Sequence, residues 1–560
     1  MTSYTIGALP LIDRLFERMR LRDFLRSYLP TSRKGSRVAI EDMILLLVKN
    51  FLSSRDPMYS IGEWASVHDP RALGLEPTQV NALNDDRSGR ALARLFDADQ
   101  GSLVLALLVH IVEEFEISLD ELHNDSTTVS FHGDYDQSFE GQMIRSKLAP
   151  HITHGHNKDH RPDLKQLLFV LTTTRDGCVP VHFQALDGNT PDDLTHWRTW
   201  KALRELHGSA NFLYIADSKL ASVENLTRIH GEGGRFITLL PRTRRENRSF
   251  RARVQRGEVI WSPIWEKRDP DTHALIDEVE IADSEPGELM PEGFRLLWYR
   301  SSAKAWRDAQ TRGRKMERAK RALLELNEKL HRPRTRWRDR EKIEGAVAKI
   351  LEESGAAEWS ATTVLEYEEE SYRPMRPGRP GKDTPYRRST KPRFSLAILW
   401  SHEKVDASAR QDGIFPLVSN ELLRSPLEIL LAYKRQPRLE KRFSQFKTDF
   451  AVAPVFLKNI DRIQALLCVY FIALLTQALL EREVRNQLEE DDDDALPLYP
   501  EGRDCKRPCA RRIIDLFATV QRHELQLPDQ SRQELVTTLT PLQRRLIRML
   551  GASEAAYRSS

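Results

Sequence analysis

The spacing of apolar residues changes character along these 560 residues, and that change constrains the fold more than any single motif. Over residues 9–28, 40–52, 89–96 and 103–115, apolar positions recur every three or four residues, which predicts a compact helical N-terminal domain spanning 1–119. From residue 119 the pattern becomes short β-like runs at 122–131, 166–174, 179–185, 212–216 and 235–240, with helical stretches at 192–205 and 220–230 between the last three. Strands and helices in that order predict an α/β sheet whose first part occupies 120–240. Between 241 and 395 the pattern is lost. Its place is taken by a basic stretch, a β-like portion with Trp261, Trp265 and Trp298, a charged helical segment at 304–354, and a Pro/Arg/Gly-rich stretch at 372–393. β-like runs return at 394–400 and 413–418, with helices from 426 onward, so the α/β domain is expected to resume over 396–460 after an insertion domain. A C-terminal helical region, 461–560, is expected after it, with an acidic linker at 489–494 and a Pro-bounded stretch at 497–500. A helix-turn-helix within 40–67 would allow the N-terminal domain to bind DNA ends, and plain helical packing explains the same spacing.

Charge and cysteine content narrow the function classes. Between Arg300 and Arg340 there are 15 Lys and Arg against five Asp and Glu, a local +10 that leaves the rest of the chain at −7 within an overall +3. One segment is therefore suited to a polyanion. Four scattered cysteines, Cys178, Cys468, Cys505 and Cys509, cannot form a disulfide framework, which favours a reducing compartment and a cytoplasmic protein. The first residues show no apolar run behind a basic start, which points away from export. The apolar run 463–480 contains Gln464, Thr476 and Gln477, so a buried helix is expected there and no membrane partner.

Carboxylates suggest the chemistry. Asp125 interrupts a β-like run, and Asp217 follows the apolar run that ends at Ala216. An Asx turn or a helix N-cap explains each alone, and a divalent cation explains both together. Further on, the segment 433–447 sets Glu440 among cations: read as a helix with Pro437 in its first turn, it places Glu440, Phe443 and Lys447 on one face. Three carboxylates without cysteine or histidine suit Mg²⁺, with Mn²⁺ as substitute, and two-metal phosphoryl transfer. His151, His154, His156 and His160 lack a cysteine partner and are expected to form a polar loop instead of a zinc site.

Taken together, these motifs resemble bacterial insertion-sequence transposases of the Asp-Asp-Glu (DDE) class that carry a Tyr-x2-Arg-x3-Glu-x6-Lys (YREK) signature. Tyr433, Gln436, Glu440 and Lys447 stand at the signature spacing, with glutamine in place of the arginine. The stretches 125–131, 158–166, 188–190, 216–218 and 235–237 also look like this family. The resemblance implies an RNase H-like catalytic core interrupted by an insertion domain, with Asp125, Asp217 and Glu440 as catalytic and metal-holding residues. It further implies cleavage of transposon inverted-repeat ends and joining of the freed 3′-OH to target DNA. Tyr433, Arg435, Arg438, Lys447, Lys158 and Arg161 are the expected contacts to double-stranded DNA, and a homodimer on paired ends is the expected assembly, in the bacterial cytoplasm at the nucleoid. A DNA-binding relative that no longer cuts, and a metal-dependent nuclease that does not join, fit the same residues.

Overall fold

The computed structural model describes residues 1–31, 37–54, 56–270, 272–282, 288–450, 457–491, 495–499, 501–528 and 531–559, so part of the acidic linker, 492–494, and Pro500 lie outside the described residues. The chain is of mixed α/β type and divides into two compact units, one formed by residues 1–238 with 419–560 and the other by 239–418.

The first unit holds five neighbouring strands of a mixed sheet, β1 (Glu121–Phe131), β2 (Lys165–Thr174), β3 (Pro180–Asp187), β4 (Leu213–Ala216) and β5 (Arg235–Leu239), in the spatial order β3-β2-β1-β4-β5. β1, β2 and β3 pair antiparallel, and β4 and β5 continue parallel to β1. β1 and β2 are buried along almost their whole length, as their β-branched and apolar runs require of central strands. The crossover from β3 to β4 is α1 (Thr195–His207), preceded by a 3₁₀ turn at Asp192–Leu194.

Later in the chain come α2 (Pro426–Tyr433), α3 (Pro437–Ser444) and α4 (Ile460–Glu490). The middle of α4 is apolar on every side and 94% of that stretch is buried within the unit, the pattern of a core helix. Phe471 of α4 stacks on Phe183 of β3 at 4.5 Å, Tyr470 on Phe51 at 4.4 Å, and Phe446 on Phe169 of β2 at 4.6 Å. One hydrophobic cluster thus joins the N-terminal helices, α4 and the sheet.

Several expectations need correction. The segment 9–28 is two helices, Leu9–Arg18 and Leu21–Tyr28, because Arg20 turns left-handed with φ 49° and breaks the ladder. The Ile40–Ser53 helix is buried continuously from Met43 to Leu52, as plain helical packing of this stretch requires. The C-terminal region is not all helical: Gln521–Gln526 pairs with Arg532–Val536 and with the N-terminal strand Thr2–Thr5, an arrangement set by pairing across more than 500 residues. The expected helix over 433–447 is three pieces. α2 stops at Tyr433, α3 begins at Pro437, whose missing N–H suits a helix start, and Gln445–Asp449 is a π-turn.

The second unit contains antiparallel strands Trp261–Arg268, Leu275–Ala282 and Arg295–Ser301. A 30-residue helix, Ser302–His331, packs on Arg340–Ser354 through Leu323, Leu326, Ile343 and Val347. The Pro/Arg/Gly-rich stretch is strand at both ends, with bends and turns at 375–385 between them. It belongs to a two-stranded hairpin, Thr363–Pro374 with Tyr386–Ala397, exposed except near its base, where Val364, Phe394 and Leu396 join the helical core. The unit extends to Val418, beyond the boundary expected at 395. Trp298 stacks on Phe250 at 3.9 Å and is buried, which removes it from any surface role.

Candidate functional site

Strand register brings the first two carboxylates together. β1 and β4 run parallel with Asn124 opposite Ala216, so the next residue on each, Asp125 and Asp217, emerges at the same level. Asp217 caps no helix: the helix after it starts behind Ser222, whose side chain accepts from Asn225 N. Its carboxylate instead accepts from Lys219 N at 3.0 Å, and its carbonyl accepts from Thr238 Oγ1 at 2.5 Å, which pins the strand end. Asp125 accepts from its neighbour Ser126 N at 2.7 Å.

A third carboxylate joins them, and it is Asp192. From the 3₁₀ turn before α1 it accepts a hydrogen bond from Ser126 Oγ at 2.9 Å. Lys158 is the cation of this group. Its ammonium lies 3.3 Å from Asp192 and 3.8 Å from Asp125, and donates to the Ser126 carbonyl and hydroxyl at 2.8 and 2.7 Å. Three carboxylates around one ammonium leave an excess of negative charge. Burial, then the nearby Asp217 and Asp192, push the Asp125 carboxyl up to about 6 against the pull of Lys158. Asp217 is raised as well, first by burial. The Tyr433 phenol, at the end of α2, is raised by burial and by both Asp217 and Asp125, so it faces the pair in its neutral form.

Glu440 is exposed on α3 and is not among the charges that dominate the field at Asp125 or Asp217. Among the described residues no group of three or more His, Cys, Asp or Glu is arranged to hold a metal ion, the histidines at 151–160 included. The structure thus brings together Asp125, Asp217, Asp192, Lys158 and Tyr433, and leaves Glu440 on the neighbouring helix surface.

The expected DNA contacts differ in availability. Arg435 is engaged: its guanidinium grips Glu121 through two hydrogen bonds of 2.5 and 2.6 Å, which occupies the edge expected on a phosphate. Gln436 has a structural task that an arginine would perform differently. Its amide donates to the Asn124 carbonyl at 2.9 Å while its oxygen meets His123 Nδ1 at 2.9 Å, beside the residue that precedes Asp125. Lys447 pairs with Asp159 at 2.6 Å, and Arg161 pairs with Asp163 at 2.7 Å on the surface. Arg438 is exposed. Part of the basic 300–340 segment is also committed locally, Arg300 to Glu280, Lys304 to Asp308 and Arg312 to Asp412.

Sequence reasoning missed Asp192 and Ser126. Asp192 sits in a polar Pro-Asp-Asp run that reads as a helix start, and Ser126 follows Asp125 directly, so neither carries a local signal.

Residues 1–109 match the family model described as a domain of unknown function, DUF4277. No curated protein matches the chain. Among solved structures the chain is similar to one chain of the cryo-EM structure of a piggyBac transposase synaptic complex with hairpin DNA, at a TM-score of 0.24 and 10% identity. The match covers 49% of this chain and 56% of that one, so the chain spans about half the length of that protein, and at that TM-score the likeness carries no weight for fold or function.

Proposed function

We propose that this chain is a DNA transposase of the Asp-Asp-Glu class, with an RNase H-like core interrupted by an insertion domain, working on double-stranded DNA as a dimer on paired ends in the bacterial cytoplasm. The observation that carries the reading is the register of β1 and β4, which sets Asp125 beside Asp217 in a half-buried group whose negative charge exceeds its single ammonium. The signature spacing from Tyr433 to Lys447 supports it independently.

The donor chemistry suits Mg²⁺: oxygen ligands alone, in a group whose Asp125 and Asp217 carboxyls are raised first by burial and then by each other's or Asp192's like charge. Asp125 and Asp217 would hold the ion, and Glu440 is the proposed third ligand. A bound ion of this kind activates an attacking oxygen and stabilises the leaving oxygen in an in-line displacement at phosphorus. The chain's own residues do the rest. Lys158 balances part of the charge before DNA arrives. The neutral Tyr433 phenol donates a hydrogen bond to a phosphate oxygen beside the pair. Lys447 exchanges Asp159 for the DNA backbone.

The test incubates the protein with Mg²⁺, a target plasmid and duplexes taken from the flanks of its own coding sequence, beside Asp125→Ala, Asp217→Ala and Glu440→Ala. Wild type alone should yield cut ends and joined products. Cleavage that survives Glu440→Ala would remove Glu440 from the site and turn attention to Asp192. Cutting without joining would identify a nuclease, and binding without cutting by wild type a non-catalytic relative.

A further inference from the structure

Away from the acidic group, α3 borders a second feature of opposite sign. Arg438, Lys441 and Arg442 of α3, the β2–β3 turn at Arg175–Cys178, the later turns of α4 and Arg507 enclose a cavity of about 380 Å³ within the first unit. Its floor is a closed network. Arg442, 2% exposed, donates to the carbonyls of Cys178 and Gly177 at 2.9 and 2.7 Å, to Gln445 at 2.8 Å and to Glu481 at 3.1 Å. The buried Glu481 carboxylate also accepts from Gln445, Arg485 and the Ala510 amide. Arg482 is taken by Asp176 at 2.6 Å. These buried charges satisfy one another and hold the walls in place.

The rim is different. Arg175, Arg438 and Arg507 pair with no carboxylate among the described residues, and Lys441 reaches Glu481 only at 3.8 Å. Arg438 and Arg507 lie close enough for their charges to interact: the Arg438 guanidinium is lowered by burial and then by Arg507. Seven cationic side chains line the cavity against the three carboxylates Asp176, Glu481 and Glu489. Two guanidiniums held near each other without a counter-charge cost free energy that an anion between them recovers. Among the described residues the wall has no aromatic ring and no branched aliphatic side chain, so charge is its main means of recognition.

We infer that this cavity is a phosphate-binding site in which Arg438, Arg507 and Arg175 hold an oxyanion over the Arg442–Glu481 floor. Arg438 and Glu440 are two residues apart and so project from different sides of α3, which separates this site from the proposed catalytic one. The phosphate belongs either to a DNA backbone or to a free phosphate compound, and the chemistry of recognition is the same.

Calorimetry on the full chain with pyrophosphate, and duplex binding over a salt series, separate the two sources. The Arg438→Gln/Arg507→Gln double variant is compared with wild type and with Arg228→Gln on the exposed Val223–Gly231 helix; thermal unfolding confirms that all three are folded. Pyrophosphate binding that weakens at least tenfold in the double variant alone supports the site. If duplex affinity also falls, with the slope of log K against log salt shallower by roughly one to two, the phosphate is that of DNA. If duplex affinity is unchanged, the ligand is a free phosphate compound. Loss of duplex affinity without measurable pyrophosphate binding supports the site with DNA as its source. Unchanged binding of both ligands in the double variant overturns the inference. Because Asp125→Asn should still bind pyrophosphate, failure of the transposase reading and failure of this one give different results.

Discussion

Two carboxylates on β1, four residues apart and both drawn into the protein, are driven in opposite directions. Glu121 is held down to about 2: burial alone would raise it, but His123 and the bidentate guanidinium of Arg435 more than offset that cost. Asp125 is pushed up to about 6, first by burial and then by the like charges of Asp217 and Asp192, which the Lys158 ammonium, 3.8 Å away and shared with Asp192, does not offset. The N-terminal end of the strand is electrostatically complete within the chain, and Asp125 in mid-strand keeps an excess of negative charge around it. That contrast separates a structural ion pair from a site more directly than either residue's burial does.

The largest effect should come from breaking the complete end. Arg435→Ala leaves Glu121, 4% exposed, without its main partner, and loss of one member of a buried pair costs about 3 to 5 kcal/mol. Urea unfolding at neutral pH measures it. A loss below about 1 kcal/mol would mean that Glu121 is no better satisfied than Asp125, and the contrast would fail.

The pH dependence of stability should differ in sign between the two carboxylates. Glu121 is lower in the folded chain than its ordinary 4.5, so its contribution is present above pH 4.5 and is lost as pH falls through about 2. Asp125 is higher in the folded chain than its ordinary 3.8, so its contribution is present below pH 3.8 and is lost as pH rises through about 6. Above pH 6 the ionised Asp125 therefore costs up to about 3 kcal/mol, and Asp125→Asn should be more stable than wild type there by up to that amount. The groups facing Asp125 are Lys158 and Ser126 from its own side of the site, Asp192 before α1, Asp217 after β4 and Tyr433 at the end of α2. A stability difference between wild type and Asp125→Asn that does not change between pH 4 and pH 8 would contradict the assignment.

Mg²⁺ should narrow that gap. At ten times its Kd the ion would stabilise wild type by about 1.4 kcal/mol and leave Asp125→Asn nearly unchanged. Equal shifts in Tm for both proteins would show that the ion binds elsewhere.

The strands that carry this contrast were legible in the sequence, and the partners were not. β1, β2, β4 and β5 fall within a residue of their expected ends, the last three because they are near-continuous apolar and β-branched runs with polar turns at each end. Asp125 and Asp217 stood out because a carboxylate in or at the end of such a run is chemically expensive. Arg435 was expected on DNA because nothing in 433–447 reveals Glu121, 314 residues earlier in the chain. Asp192 was hidden in a polar turn, and the hairpin of the second unit was hidden because both faces of its strands are exposed, which removes the alternation that marks a half-buried strand.

The smallest effect sharpens the comparison by moving outward from β1 to the surface. Lys447 pairs with Asp159, one residue beyond Lys158, and both partners are partly open to solvent, at 28% and 43%. Such a pair contributes about 0 to 1 kcal/mol, so Lys447→Ala should unfold at nearly the wild-type urea midpoint. If the lysine instead turns to the DNA backbone when DNA binds, the same variant should bind duplex more weakly, with a salt slope shallower by about one. Asp159→Asn provides the opposing arm, because releasing Lys447 from its internal partner should leave stability near wild type while strengthening duplex binding at low salt. A Lys447→Ala protein that is strongly destabilised, or whose salt slope matches wild type, would place this pair with Arg435 and Glu121 as structure instead of with the acidic site as a contact held in reserve.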